Sequence, residues 1–170
     1  MRILTEPAET PIGILQLSCR EEGICRIAFP GGPAFSPGNP ATRSSGNGPG
    51  TAERRWVRET RKQLAEYFER MRREFHLPLA LEGTDFQKSV WNAIVQIPYG
   101  TTLSYRELAA RIGRPEAVRA VGGAVGANPV PIVVPCHRVL GSDGKLTGFA
   151  GGLNVKERLL ELEGARIPFG

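Results

Sequence analysis

The chain reads as α+β in two parts: a small N-terminal sheet with one long helix, then a mainly helical, winged-helix-like half built on a helix-turn-helix. Three observations predict this. Residues 10–29, "TPIGILQLSCREEGICRIAF", alternate apolar and polar positions around an acidic, glycine-containing turn, the pattern of a hairpin. Residues 52–75 repeat apolar side chains at helical spacing. From residue 84 onward, capping patterns and glycine stops follow one another closely, as they do between short helices.

Bulk properties bound the answer. With 170 residues, 41% of them hydrophobic and 23% charged, the chain can bury a real core in one medium domain or two small ones. No apolar run approaches membrane-spanning length, and "MRILTEPAETPIG" meets acidic and turn residues too early for a signal peptide, so a cytoplasmic protein is expected. The net charge of +5 suits a polyanionic partner but equally a solvated surface. The cationic excess lies in residues 52–74 and 101–170, while 1–51 are balanced. An odd set of cysteines, Cys19, Cys25 and Cys136, argues against a disulfide framework. With only His76 and His137 beside them and no CxxC or HxxxH spacing, neither a metal nor another cofactor is expected.

Taken in order, the hairpin turns at Glu22-Gly23, and Cys19 and Cys25 flank it as packed thiols. Residues 30–51, rich in Gly, Pro, Ser and Asn, read as a flexible loop. The long helix carries Trp56, Leu64, Tyr67, Phe68, Met71 and Phe75 on its core stripe. "LPLALEG", 77–83, reads as an extended link between a supporting part, 1–82, and the second part, 83–170. There, Thr84 and Gln87 form a capping box before a helix with Phe86, Val90, Trp91 and Ile94 on one side. Ser104 and Glu107 repeat the pattern before "YRELAARIG", which Gly113 stops. Pro115 fits the first turn of the next helix, "PEAVRAVGGAVGAN". These two helices resemble a helix-turn-helix, whose second helix meets DNA. Gly122, Gly123 and Gly126 weaken that helix, so something packs close to it: a DNA strand or a neighbouring helix. "NPVPIVVPC" reads as a buried extended segment delivering Cys136, "GSDGKLTGFAGG" as a glycine loop, and "NVKERLLELEG" as a closing helix capped by Asn154 with Val155, Leu159 and Leu162 inward.

"VPCHRV", 134–139, brings a thiol, an imidazole and a guanidinium together. An ordinary thiol has a pKa of about 8.5, so a reactive one needs a base, a cation or a helix N-terminus nearby. In extended backbone the Cys136 and His137 side chains point to opposite faces, which favours a bridging water over direct contact. Arg138 contributes charge or is simply exposed.

Three stretches, "IPYGTTLSYRELAARIG", "RAVGGAVGANPVPIVVPCHRV" and "GFAGGLNVKERLLELEG", resemble the methylated-DNA–protein-cysteine methyltransferases, the O6-alkylguanine-DNA alkyltransferases. The resemblance is continuous over roughly residues 84–165 and loose before that. It implies a single-use DNA repair protein, acting as a monomer without a membrane, that binds the minor groove of double-stranded DNA. Such a protein flips O6-alkylguanine, and O4-alkylthymine with it, out of the duplex and moves the alkyl group to its own cysteine. By this resemblance Cys136 accepts the group, His137 takes the thiol proton through a water, and Glu163 orients His137. Tyr105 donates to the guanine ring, Arg119 fills the place of the flipped nucleotide, and Asn128 ties the recognition helix to the active-site turn. Ala120, Gly122 and Gly123 meet the DNA. Val125, Val139, Phe149, Ala150 and Gly151 line the base pocket. Two positions depart from the family pattern: Ala150 replaces a frequent serine, and Gly126 a residue that is basic in some members.

Three other readings compete. A non-catalytic alkyltransferase-like lesion-recognition protein would lack the reactive cysteine that this chain has. A helix-turn-helix regulator would need further domains. A cysteine hydrolase would need a base distant in sequence, for which only His76 is available.

Overall fold

The computed structural model describes residues 2–32, 34–35, 50–141, 144 and 148–165. It divides into two compact units, Met1–Glu82 and Gly83–Gly170. The loop expected at 30–51 falls mostly outside the described residues.

In the first unit an antiparallel sheet runs in the order β1 (Leu4–Thr10), β2 (Gly13–Arg20) and β3 (Gly23–Ala28). The hairpin forms as expected, but its turn is Glu21-Glu22, and Gly23 opens β3. Gly23 has φ +148°, and a Cβ there would lie 2.1 Å from the Pro78 carbonyl oxygen. Only glycine fits so close to another backbone. The approach is used: the Ile24 N–H donates to Pro78 O at 3.0 Å, and the Ala80 N–H donates to Ile24 O at 2.9 Å. The segment read as a simple link therefore pairs in parallel with β3 through Leu79.

No sequence signal marked β1, because Pro7, Glu6 and Glu9 depress strand propensity. It lies at the sheet edge, where a proline is tolerated. Leu4 and Ala8 from β1, with Leu15, Leu17 and Cys19 from β2, are buried. Helix α1 (Thr51–Phe68) packs on the sheet with Val57, Thr60, Leu64 and Tyr67 inward. It stops at Phe68 rather than running to Phe75. Arg70 turns left-handed (φ 61°), the Met71 N–H reaches back to Glu66 O at 2.8 Å and the Arg70 N–H to Tyr67 O at 3.1 Å, a Schellman ending. Met71, expected in the core, is 74% exposed as a result, and Trp56, Phe68 and Phe75 are half-buried.

The second unit opens with α2 (Asp85–Val95), followed by β4 (Leu103–Ser104), α3 (Tyr105–Arg111) and α4 (Val118–Gly126). A single 3-10 turn (Cys136–Arg138), β5 (Val139–Leu140) and α5 (Leu153–Leu162) complete it. The capping box forms: the Gln87 N–H donates to Thr84 Oγ1 at 3.1 Å and the Thr84 N–H to Gln87 Oε1 at 3.0 Å. Ser104 caps α3, accepting from the Glu107 N–H at 3.0 Å. Gly113 (φ 75°) ends α3, with Arg114 N–H reaching Ala109 O at 2.9 Å. Pro115 does not open α4. It sits in a turn closed by the Ala117 N–H on Arg114 O at 2.9 Å, a role its fixed φ suits equally well. α2, α3 and α4 pack together, and the buried Trp91 Nε1–H donates to Ala124 O at 2.8 Å, locking α2 to α4. Asn154 likewise lies inside α5 rather than at its cap, which Gly152 (φ 93°) supplies.

Gly23→Ala should therefore lower stability by about 3 kcal/mol, from left-handed strain and overpacking against Pro78. Urea unfolding measures it, and a loss under about 1 kcal/mol would mean that residues 78–80 do not pair with β3.

Candidate active site

The residues before Cys136 do not run extended, as the apolar, proline-rich sequence led us to expect. They fold into a tight turn in which the Val134 N–H donates to Val130 O at 2.9 Å and Ile132 takes φ 74°. Asn128 organises this turn from the end of α4. Its Oδ1 accepts from the Val130 N–H at 3.0 Å, and its Nδ2 donates to Val134 O at 2.9 Å. Prolines on either side remove N–H groups that would otherwise need partners. The chain emerges into the 3-10 turn bearing Cys136, His137 and Arg138, all three buried. β5 then pairs in parallel with β4, Leu103 opposite Val139, so the strand that caps α3 also fixes the exit from the thiol.

Burial raises the Cys136 thiol to about 11, with an Asn128 hydrogen bond and the Lys156 charge pulling the other way. At neutral pH it therefore stays a thiol, and reaction requires a base. His137 is fully buried, and its Nε2 lies 2.7 Å from Glu163 Oε2. Burial also holds His137 below the usual imidazole range, outweighing the pull of Glu163. A neutral imidazole donating its Nε2–H to the carboxylate carries its lone pair on Nδ1. Nδ1 is buried and has no hydrogen-bond partner among the described residues.

Glu163 sits at the C-terminal cap of α5, where Gly164 (φ 67°) turns the chain and the Ala165 N–H closes on Leu160 O at 3.0 Å. Arg138 grips the carboxylate from its other side, Nε to Oε1 at 2.8 Å and a terminal nitrogen to Oε2 at 3.0 Å, and it also donates to Ile97 O at 2.7 Å. The Gly100 N–H approaches Oε1 at 3.4 Å. Burial alone would push the carboxyl up, but the hydrogen bonds and charges of His137 and Arg138 outweigh it and hold it well below the usual range. Arg138 is thus not exposed and does contribute charge, to Glu163.

Sequence reasoning also missed Lys156. It is fully buried on the inner face of α5, and its Nζ donates to Val139 O at 2.7 Å. Burial lowers its ammonium to about 8. Its position four residues after Gly152 in an otherwise amphipathic helix reads as a surface lysine. The buried face of α5 is Lys156, Leu159, Leu160 and Glu163, while Val155 and Leu162 are only half-buried.

The remaining predicted positions separate into two sets. Arg119, Ala120, Gly123 and Gly126 lie on the exposed side of α4. A Cβ at Gly123 or Gly126 would meet nothing within 4 Å, so no neighbouring helix explains these glycines. Half-buried Gly122 faces the Tyr105 ring, whose Cδ1 would be 4.0 Å from such a Cβ. Val125 and Val139 are buried. Phe149, Ala150 and Gly151 form the turn into α5, closed by the Gly152 N–H on Phe149 O at 2.9 Å, with Ala150 exposed and the other two half-buried. Cys19 and Cys25 stay free thiols in the first unit, and burial raises Cys19 to about 12. Among the described residues no three His, Cys, Asp or Glu side chains gather to hold a metal, and no helix is long and apolar enough to cross a membrane.

A helix-turn-helix with an open glycine face is thus joined through Asn128 to a buried thiol and a carboxylate-anchored imidazole, which places the chain in a class of cysteine-bearing helix-turn-helix proteins. Residues 85–165 match the family described as 6-O-methylguanine DNA methyltransferase, DNA binding domain, and residues 3–81 match its ribonuclease-like domain. The methylated-DNA–protein-cysteine methyltransferase of Methanosarcina barkeri is 47% identical, over 91% of this chain and 93% of its own length. That of Mycobacterium bovis is 58% identical over 62% of this chain and 64% of its own. The crystal structure of Mycobacterium tuberculosis OGT in complex with DNA superposes with a TM-score of 0.80 at 41% identity, covering 94% of this chain and 92% of that one. The chain belongs to the 6-O-methylguanine DNA methyltransferase family.

Glu163→Gln should cost about 3–5 kcal/mol at pH 7, because it leaves the buried Arg138 charge uncompensated. The folded carboxyl is depressed, so its contribution is present above the unfolded value of about 4.3 and lost as pH falls below it. Urea unfolding at neutral and acid pH should show the variant losing less stability on acidification than the wild type.

Proposed function

We propose that this protein repairs alkylated DNA by turning O6-alkylguanine out of the duplex and moving the alkyl group from O6 to its own Cys136, once per molecule. O4-alkylthymine presents the same alkyl–oxygen bond and falls within the same chemistry. The observation that carries this reading is the His137–Glu163 hydrogen bond of 2.7 Å beside a thiol that burial keeps protonated. Burial holds the Cys136 thiol well above neutral pH, so a base must remove its proton for reaction. Nδ1 of His137 supplies the base, receiving the thiol proton through a water. Glu163 holds the ring in the required tautomer and stabilises the imidazolium as it forms, the base-and-orienter arrangement of an activated nucleophile.

The Cys136 sulfur then attacks the alkyl carbon, the carbon–O6 bond breaks, and its electron pair goes to the guanine. Tyr105, at the start of α3, donates a proton to the ring and assists departure. The product is a thioether, a poor leaving group, so the protein does not turn over. Asn128 keeps the thiol in register with α4. The Val139 carbonyl has two lone pairs, so it can accept from Lys156 and still receive the exocyclic amine, as can the Cys136 carbonyl. Val125 and Phe149 would line the pocket, the Ala150 N–H would lie near O6, and Gly151 would leave room for the alkyl group.

The open face of α4 suits the minor groove. With no Cβ at Gly123 or Gly126, helix and DNA backbone can approach closely, and exposed Arg119 can enter the base stack. A lesion that pairs poorly makes flipping less costly. One molecule suffices for this chemistry, so the protein would act as a monomer. The presence of Cys136 weighs against a purely lesion-recognising role.

Cys136→Ser should abolish transfer from a methylated oligonucleotide and leave duplex affinity within about twofold, since the thiol makes no phosphate contact. Arg119→Ala should slow transfer from duplex on the order of tenfold or more, while leaving reaction with the free modified base nearly unchanged. Transfer by the serine variant would sink the assignment, and equal losses on both substrates would make Arg119 structural.

A further inference from the structure

Apart from Glu53 in the first turn, the charges on α1 run against what stabilises a helix. Arg54, Arg55 and Arg58 crowd its N-terminal half, the positive end of the helix dipole, while its last turn has no basic residue. Arg54, Arg58 and Lys62 follow at spacings of four, which stacks like charges along one line of the surface at a cost to the helix. All three are exposed. Their charged neighbours are engaged elsewhere. Arg61 pairs with Glu6 at 3.0 Å, and the Arg55 guanidinium lies 4.7 Å over the Trp56 ring. Glu59 accepts from Gln63 at 2.9 Å, and Glu66 pairs with Arg72 at 3.1 Å. Among the described residues no ion pair reaches Arg54, Arg58 or Lys62.

A solvent face that breaks local helix rules with no compensating contact inside the molecule marks a surface whose partner lies outside it. A rise of about 1.5 Å per residue sets the three cations at steps of about 6 Å, a row suited to a polymer with regularly spaced negative charge. Duplex DNA carries one charge per about 1.7 Å of its axis and continues well past any single lesion. We propose that the Arg54–Arg58–Lys62 row of α1 is a second, sequence-independent contact for the phosphate backbone of duplex DNA, additional to the contact made by α4. This rests on the DNA-repair reading given above.

The test uses the full chain and an undamaged duplex of about three helical turns, with affinity measured across a salt series. The triple variant Arg54→Gln/Arg58→Gln/Lys62→Gln should reduce the slope of log affinity against log salt by about 2–3 and weaken binding at least tenfold at physiological salt. Its melting temperature should not fall, because like charges are removed from an exposed face. Its rate of alkyl transfer from free O6-alkylguanine should equal the wild type's. An unchanged slope overturns the proposal, as does the same reduction per charge removed in the control Arg2→Gln/Arg26→Gln, which would reveal a net-charge effect. So does an unchanged slope with altered self-association, which would assign the row to a second copy of the chain. Failure of the wild type itself to transfer from the free base would instead contradict the repair reading.

Discussion

The imidazole and guanidinium that follow Cys136 are both arranged around one buried carboxylate. Glu163 has two hydrogen bonds from Arg138, one from His137 and a longer approach from the Gly100 N–H. Taking such a group out of water costs several kcal/mol, and a buried pair often contributes little net stability. Its value here is positional. The carboxylate fixes the plane and tautomer of His137, and Arg138 ties the same point to the carbonyl of Ile97. Two left-handed glycines make the geometry possible. Gly164 ends α5 one residue after the carboxylate, and a Cβ at Gly100 would lie 3.1 Å from Glu163 O.

A second constraint transmits the position of α4 to the thiol. Asn128 bonds both ends of the turn that precedes Cys136, and Ile132 is held in a left-handed conformation that a β-branched residue resists. Strain of about 1–3 kcal/mol persists only where surrounding contacts over-determine the backbone, and Val130, Ile132 and Val134 are all fully buried. Under the proposed reaction, a change in volume at Cys136 presses on a turn with no slack, and Asn128 conveys that pressure to the DNA-facing helix.

The capping box of α2, the serine cap and glycine stop of α3, the hairpin and the amphipathic helices are legible because each is a local signal spread over a few neighbouring residues, although at α3 Ser104 caps alone and does not complete the expected box with Glu107. What escaped was decided at a distance. β1 exists because an edge position tolerates Pro7 and because β2 needs a partner. Pro115 and Asn154 sit where their chemistry is compatible but not required, so the true helix starts lie elsewhere. "NPVPIVVPC" reads as extended from its prolines and β-branched residues, and it turns where Asn128 bonds Val130 and Val134. Of the active-site trio, Cys136 and His137 announce themselves by adjacency. Glu163 came from family resemblance alone, and Arg138 and Lys156 were not legible as buried groups, since nothing local tells a buried cation from a solvated one.

The glycines of α4 show the opposite case. Their sequence left two readings open, an approaching DNA strand or a neighbouring helix, and the empty space at Gly123 and Gly126 removes the second. Combined with a buried thiol next to a carboxylate-anchored imidazole, that open face supports the proposal of a protein that meets DNA and reacts once. The most direct measurement of this claim is peptide mass analysis after incubation with excess methylated duplex. The account predicts one added methyl per molecule, on the peptide containing Cys136, with Cys19 and Cys25 unmodified. Label on either of those thiols, or methyl transferred in more than one equivalent per molecule, would contradict it.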